Sequence, residues 1–300
     1  MDIIDKIKEL KKKRKAIILV HNYQLPEIQD IADYIGDSFG LSRIASATDA
    51  EVIVFCGVRF MAETASILCP DKKVLMPDIN SGCPMAEMIA VDQLRALKAK
   101  HPGAVVLAYV NTLAEVKAET DICCTSGNAL KVVESLKDTK EIIFVPDKYL
   151  ADYVSKKLGR KLISWGGYCP SHIKILPEDI IKQKKAHPQA KVIVHPECLP
   201  PVIELADEAL STAGMCKFAK ESNVKEMIIG TEIGMLYRLQ KENPEKKFYA
   251  ATELATCPNM KLTTLEKVLW SLGEMKHEIK VPDQIRAKAN KAVSRMLEAV

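Results

Sequence analysis

Ala16-Ile17-Ile18-Leu19-Val20-His21-Asn22-Tyr23 is a run of β-branched and aliphatic residues that ends abruptly in polar and aromatic groups. A strand buried on both faces reads this way, because neither face calls for polar side chains. Two later stretches repeat the pattern: Val105-Val106-Leu107-Ala108-Tyr109-Val110-Asn111 and Lys191-Val192-Ile193-Val194-His195-Pro196-Glu197. An amphipathic helix precedes each of them, over Ile3 to Lys13, Val91 to Lys100 and Pro177 to Lys185. Further strands are predicted at Glu51 to Phe55, Glu141 to Val145 and Glu226 to Ile229, then at Lys73 to Met76, Lys161 to Ser164 and Lys247 to Ala250. Between them fall helical patterns at 27–35, 40–47, 59–68, Asp147 to Leu158 and Glu232 to Lys241. Alternation of this kind predicts parallel sheets covered by helices on both faces.

Spacing outward from the three runs shows that they are copies. A hydroxyl residue lies 17 positions after each strand end, from His21 to Ser38, Tyr109 to Ser126 and His195 to Thr212. An aspartate stands five before each hydroxyl, at Asp33, Asp121 and Asp207. Cys83-Pro84, Cys169-Pro170 and Cys257-Pro258 follow at 62, 60 and 62 residues beyond the strand ends. Nine cysteines and 15 prolines among 300 residues predict only about 0.5 such dipeptides by chance. A fourth, Cys69-Pro70, is out of phase with the others. Registered spacing is the mark of an internal repeat. The chain is therefore expected to be α/β, with three similar three-layer αβα domains about a pseudo-threefold axis. The first copy spans 1–84, the second 85–170 and the third 171–258, with the tail 259–300 packing back on the first. That tail carries helical patterns from Thr263 to Met275 and Pro282 to Leu297, with a short strand pattern at Glu278 to Val281 between them. Ligands of open parallel sheets bind beyond the carboxyl ends of the strands, so the equivalent loops should share one central site.

Composition narrows the partners. The net charge is only +4, and the densest basic run, Lys11-Lys12-Lys13-Arg14-Lys15, closes a predicted helix where cations suit the dipole. Aromatic content of 5% offers little for base stacking, so no nucleic acid is expected. No run approaches the roughly 20 apolar residues of a membrane span, and the start lacks an apolar leader, so a cytoplasmic protein is expected. Cysteines in such a protein stay reduced and serve as packing groups or ligands.

Three thiolates converging on an axis suit a metal centre with one position left free, either zinc or an iron-sulfur cluster. Around them the strand-end loops carry His21, Tyr23, Tyr109, Asn111, His195 and Glu197, a set fitted to proton transfer. Ser38, Ser126 and Thr212 stand at or before helix starts, where they can cap the helix or hold an anion. Ser126-Gly127-Asn128 resembles a phosphate-holding turn. A zinc-dependent aldolase or lyase acting on phosphorylated sugars fits these residues, as does a non-enzymatic small-molecule binding protein with a structural metal.

Across essentially its whole length the chain resembles the quinolinate synthase family. The resemblance rests on His21-Asn22-Tyr23-Gln24, Gly36-Asp37-Ser38, Cys83-Pro84-Met85-Ala86, Tyr109-Val110-Asn111, Thr125-Ser126-Gly127-Asn128-Ala129, Cys169-Pro170-Ser171-His172, His195-Pro196-Glu197-Cys198, Gly230-Thr231-Glu232-Ile233-Gly234 and Cys257-Pro258-Asn259-Met260-Lys261. It implies condensation of iminoaspartate with dihydroxyacetone phosphate to quinolinate in NAD biosynthesis, with loss of phosphate and water. An L-aspartate-oxidising enzyme would supply the iminoaspartate. The resemblance also implies one 4Fe-4S cluster per chain, ligated by Cys83, Cys169 and Cys257, with one iron open as a Lewis acid. His21, Ser38, Tyr109, Val110, Asn111, Ser126, His195, Pro196, Glu197 and Thr212 would form the substrate-binding set. Glu197 would be the general base, with Tyr23, Tyr109 and His195 assisting. Some relatives carry additional cysteines beside the third ligand, but Asn259 and Met260 follow Cys257-Pro258 here, so no thiol-disulfide switch is expected there.

Overall fold

The computed structural model describes residues 2–299. Twelve strands form three separate four-stranded sheets, all parallel and all of one topology. The first contains β1 (Ala16–His21), β2 (Tyr34–Gly36), β3 (Val52–Cys56) and β4 (Lys73–Leu75) in the order β2-β1-β3-β4. The second contains β5 (Val105–Tyr109), β6 (Ile122–Cys124), β7 (Ile142–Val145) and β8 (Ile163–Ser164) in the order β6-β5-β7-β8. The third contains β9 (Lys191–Val194), β10 (Glu208–Ala209), β11 (Glu226–Gly230) and β12 (Lys247–Ala250) in the order β10-β9-β11-β12. Three three-layer α/β units in one chain are thus the architecture.

Alternating burial explains why the strand runs are apolar throughout. In the first sheet Ile18, Val20, Val54 and Cys56 pack to one side, while Leu19, Ile53 and Phe55 pack to the other. In the third, Val192, Val194 and Ile228 face one apolar cluster, and Ile193, Met227 and Ile229 face another. Successive residues serve opposite layers, so no position is left for a polar group.

Expectations about local structure are corrected at three places. The helix predicted over 27–35 ends at Asp30, and Tyr34–Gly36 is instead the edge strand β2. Asp33 causes the change: its carboxylate accepts from Ile18 N at 2.8 Å, and its own N–H donates to Ile18 O at 3.0 Å, pulling the chain onto β1. Asp121 grips Val106 and Asp207 grips Val192 in the same double fashion, with carboxylate contacts of 2.7 and 2.8 Å. The repeated aspartate is therefore the clamp that seats each short edge strand. Replacing Asp121 with alanine is expected to cost about 1–2 kcal/mol of stability, read as a lowered thermal midpoint. The second correction concerns the helix predicted from Glu232, which begins at Met235 because the Glu232 carboxylate is turned back to accept from Gly234 N at 2.8 Å.

Beyond the third sheet, the helix Leu265–Glu274 packs along the helix Ile3–Lys13, and Arg14 donates to the carbonyls of Leu272 and Gly273 at 3.2 and 2.9 Å. The segment predicted as a strand at 278–281 forms only an isolated antiparallel bridge, Leu75 to Glu278, at the β4 edge. The helix Asp283–Glu298 lies over β6 and the helices Ala114–Lys117 and Arg59–Leu68, joining first and second sheets. Among the described residues no helix is long and apolar enough to cross a membrane.

Candidate active site

Loops at the carboxyl ends of all three sheets enclose one cavity with about 700 Å³ of free space, part of it open to solvent. His21, Tyr109 and His195 stand at equivalent strand ends around it, with Tyr23, Asn111 and Glu197 two residues further on. Ser38, Ser126 and Thr212 complete a ring of hydroxyls, and Cys83, Cys169 and Cys257 a ring of thiols. Val110 and Pro196 do not line the cavity; each is buried between two residues that do.

The Cys-Pro step has a local physical reason. Backbone N–H groups two and three residues after each cysteine face its sulfur: Met85 and Ala86 for Cys83, Ser171 and His172 for Cys169, Asn259 and Met260 for Cys257. Proline, which has no N–H, fills the one position between where none is needed. A second triad of bonds ties each loop to the segment that leaves β3, β7 or β11: Arg59 N donates to Ser81 O, Lys148 N to Gly167 O and Ile233 N to Ala255 O, at 2.8, 2.8 and 3.1 Å. Burial pushes the Cys83 thiol up to about 12 and raises Cys169 and Cys257 as well, so the free sulfurs stay protonated. Binding a metal must release those protons.

Cys69 is elsewhere, buried with its Sγ 3.1 Å from Ala45 O. All nine cysteines are unpaired. Among the described residues one set of potential metal ligands lies within 4.8 Å of one another, Cys169, His172 and Glu197.

Both histidines are neutral. Burial holds His21 and His195 down at about 3. Tyr23 N–H donates to His21 Nδ1 at 3.2 Å and Glu197 N–H to His195 Nδ1 at 3.3 Å, which leaves the proton on each Nε2. His195 Nε2 lies 3.2 Å from Ser126 Oγ. The Glu197 carboxylate receives the Tyr109 hydroxyl on Oε1 at 2.5 Å and meets His172 Nδ1 from Oε2 at 2.8 Å. Burial alone would raise this carboxyl, but His172 beside it and the Tyr109 hydroxyl bonded to it outweigh that and hold it well below the usual range. Tyr23 and Tyr109 are raised well above their ordinary range, first by burial and then by Glu197, so both remain hydroxyl donors.

Helix capping falls one residue before two of the expected hydroxyls, while the helix that follows Ser126 begins only at Ala129, with Asn128 at its cap position. Asp37 caps the helix Ser38–Ala47, and Ser211 caps Thr212–Glu221, accepting from Gly40 N at 2.8 Å and Gly214 N at 3.2 Å. Ser38 is thereby left free of capping, while Thr212 Oγ1 accepts from Asn22 Nδ2 at 2.7 Å. Asn111 Oδ1 is buried without a protein partner. The lining contains no lysine or arginine, so an anion here is held by neutral donors and helix starts.

His172, Thr231 and Glu232 belong to the site although the sequence reading gave them no role. Glu232 accepts from Cys257 N at 3.0 Å and pairs with Lys261 at 3.0 Å, bracing the third thiol loop. His172 and Thr231 break the threefold pattern, His172 aligning with Ala86 and Met260 and Thr231 with Gly57 and Pro146, whereas Glu232 has an acidic counterpart in Asp147. A polar group where its counterparts are apolar or backbone-restricted was the available signal.

Three α/β units sharing a cavity lined by thiols, a carboxylate with its proton partners and neutral anion donors define an enzyme of small-molecule acid–base chemistry. Residues 5–298 match the family model described as quinolinate synthetase A protein. Curated quinolinate synthases of Dehalococcoides mccartyi strain CBDB1 and Thermodesulfovibrio yellowstonii are 60% and 56% identical over 298 residues, each covering 99% of this chain and 98% of the relative. That of Methanosarcina barkeri strain Fusaro is 55% identical over 296 residues, 99% of this chain and 97% of the relative. The chain belongs to the quinolinate synthase family.

Proposed function

We propose that the chain condenses iminoaspartate with dihydroxyacetone phosphate, releasing phosphate and water to give quinolinate, the pyridine precursor of NAD. The observation that carries this reading is the convergence of three thiols, one from each domain, on the cavity that also holds Glu197. Their spacing favours a 4Fe-4S cluster over one zinc ion. Zinc bonds thiolate at about 2.3 Å, so tetrahedral ligands lie about 3.8 Å apart. The three cysteine sulfurs do not form a set within 4.8 Å; a cube-shaped cluster, binding each thiolate at a different iron, takes wider spacing. The mixed set of Cys169, His172 and Glu197 would suit a single metal ion only by breaking the 2.8 Å contact between His172 and Glu197. When bound, the cluster supplies a Lewis-acidic iron for the final dehydration.

The protein's own groups supply the rest. Ser38, Ser126, Thr212 and Asn111, with the Nε2–H of His21 and His195, hold the carboxylates and phosphate. Asn111 Oδ1, buried and unpaired within the protein, meets a donor on the substrate. Glu197, ionised and buried, removes protons, and the hydroxyls of Tyr23 and Tyr109 return them. The site works in a cytoplasm, where thiols stay reduced, and an enzyme oxidising L-aspartate supplies the imine.

Protein purified and reconstituted without oxygen is expected to be brown, with about four irons per chain, and to form quinolinate from the two substrates by chromatographic assay. Colourless, zinc-loaded protein would overturn the cluster, and absence of quinolinate from iron-loaded protein would overturn the reaction.

A further inference from the structure

Two of the hydroxyls that ring the cavity are met from a neighbouring unit. Ser126 of the second unit lies 3.2 Å from His195 Nε2 of the third, and Thr212 of the third accepts from Asn22 Nδ2 of the first at 2.7 Å. Asn22 follows the strand-end residue His21, and its counterparts in the other copies, Val110 and Pro196, have no polar side chain. It is fully buried, and its other amide atom, Oδ1, accepts from Arg238 Nη1 at 2.6 Å. Arg238 comes from the helix Met235–Glu242 of the third unit and is itself fixed: Nη1 also donates to Ile35 O at 3.0 Å, and Nε to Glu242 at 2.8 Å.

Bonding capacity gives these contacts one direction. A guanidinium has donors and no acceptor, so the amide of Asn22 must turn its oxygen toward Arg238 and its NH₂ toward Thr212. Thr212 Oγ1 is thereby the acceptor of that bond, which leaves its own proton free. Among the described residues no protein acceptor meets that proton, and Thr212 lines the cavity while being only 3% exposed. A buried donor of this kind calls for an acceptor on whatever enters. Thr212 is also the first residue of the helix Thr212–Glu221, whose dipole favours negative charge at that end.

We propose that Asn22, oriented by Arg238, is a positioning residue that sets Thr212 as a hydrogen-bond donor to an anionic oxygen, carboxylate or phosphate, bound in the cavity. The proposal rests on the reading of Thr212 as an anion-holding group given above, and adds how its direction is fixed and which unit fixes it. Neither Asn22 nor Arg238 lines the cavity, so both act through Thr212. Without Arg238 the amide can rotate by half a turn and present its oxygen to Thr212, whose proton would then turn away from the cavity. The bond also crosses from the first unit to the third, so the donor is set only when those two are docked.

Asn22→Asp keeps the shape and the bond to Arg238, but a carboxylate only accepts, so its second oxygen draws the Thr212 proton away from the cavity. Titration calorimetry of iron-loaded protein with inorganic phosphate and, separately, with malonate tells which anion Thr212 serves. For that anion Asn22→Asp is expected to weaken binding about 10–100-fold, the range for one hydrogen bond to a charged group, and Thr212→Val to weaken it comparably. Adding Asn22→Asp to Thr212→Val should cause no further loss. Parent-like binding of both anions by Asn22→Asp would overturn the proposal. So would a further loss in the double variant, because the new negative charge rather than the hydroxyl's direction would then be repelling the anion. Should Asn22→Asp fail to fold, Arg238→Met decides in the same two backgrounds: a loss confined to protein that has Thr212 supports the proposal, and an equal loss in both, or none in either, overturns it. The titration needs no turnover, so protein that binds these anions but makes no quinolinate breaks the proposed reaction and leaves the positioning role standing. A parent protein that binds neither anion overturns the anion-holding reading of Thr212, and the role of Asn22 with it.

Discussion

Cys83→Ser, Cys169→Ser and Cys257→Ser are each expected to abolish iron retention and quinolinate formation, while Cys69→Ser retains both. Serine's oxygen is a poor ligand for iron in a sulfur-bound cluster. Each domain contributes one thiol to the cavity, so the remaining pair cannot replace the lost one. Cys56, Cys123, Cys124 and Cys198 are all fully buried, and none lines the cavity. Cys69 is occupied with Ala45 O outside that space, so its loss removes one sulfur–carbonyl contact and nothing from the centre. Iron and sulfide content and the visible spectrum read the outcome. A Cys69→Ser protein as iron-poor as the other three would show that the repeat phase does not identify the ligands.

Glu197→Gln is expected to lower kcat about 10²–10⁴-fold with iron content unchanged. The amide is nearly isosteric and its oxygen still accepts from Tyr109, but it cannot take a proton at neutral pH. His172 then loses its anionic neighbour at 2.8 Å, so the cost is not confined to the base itself. Because the thiol loops are held by backbone groups of residues 85–86, 171–172 and 259–260, cluster loading is a separate readout from turnover. Turnover within about threefold of the parent, with the cluster intact, would remove Glu197 from the role of base.

The repeat was legible because strand ends, aspartates, hydroxyls and cysteines must keep register for three sheets to present equivalent loops. The edge strands β2, β6 and β10 were not, since two or three residues are too few to show a period. They are seated instead by Asp33, Asp121 and Asp207, whose spacing was visible while their function as strand clamps was not. Helix periodicity misplaced the start at Glu232 because a carboxylate folded back on Gly234 N outweighs local propensity. Within the site, residues that follow the threefold pattern were readable as a set. His172 and Thr231 depart from it, and only the folded chain reveals that they meet.

The dependence of the thiol ring on three separate sheets also dictates when it can form. A ribosome making this chain must pass Cys257 before the last sulfur exists, and the helix Leu265–Glu274, which packs against Ile3–Lys13 at the opposite end of the sequence, comes later still. A metal held by all three thiols, as proposed, would therefore be acquired only after the third sheet has been made. Until metal binds, burial keeps the three thiols protonated, the form least reactive toward oxidants.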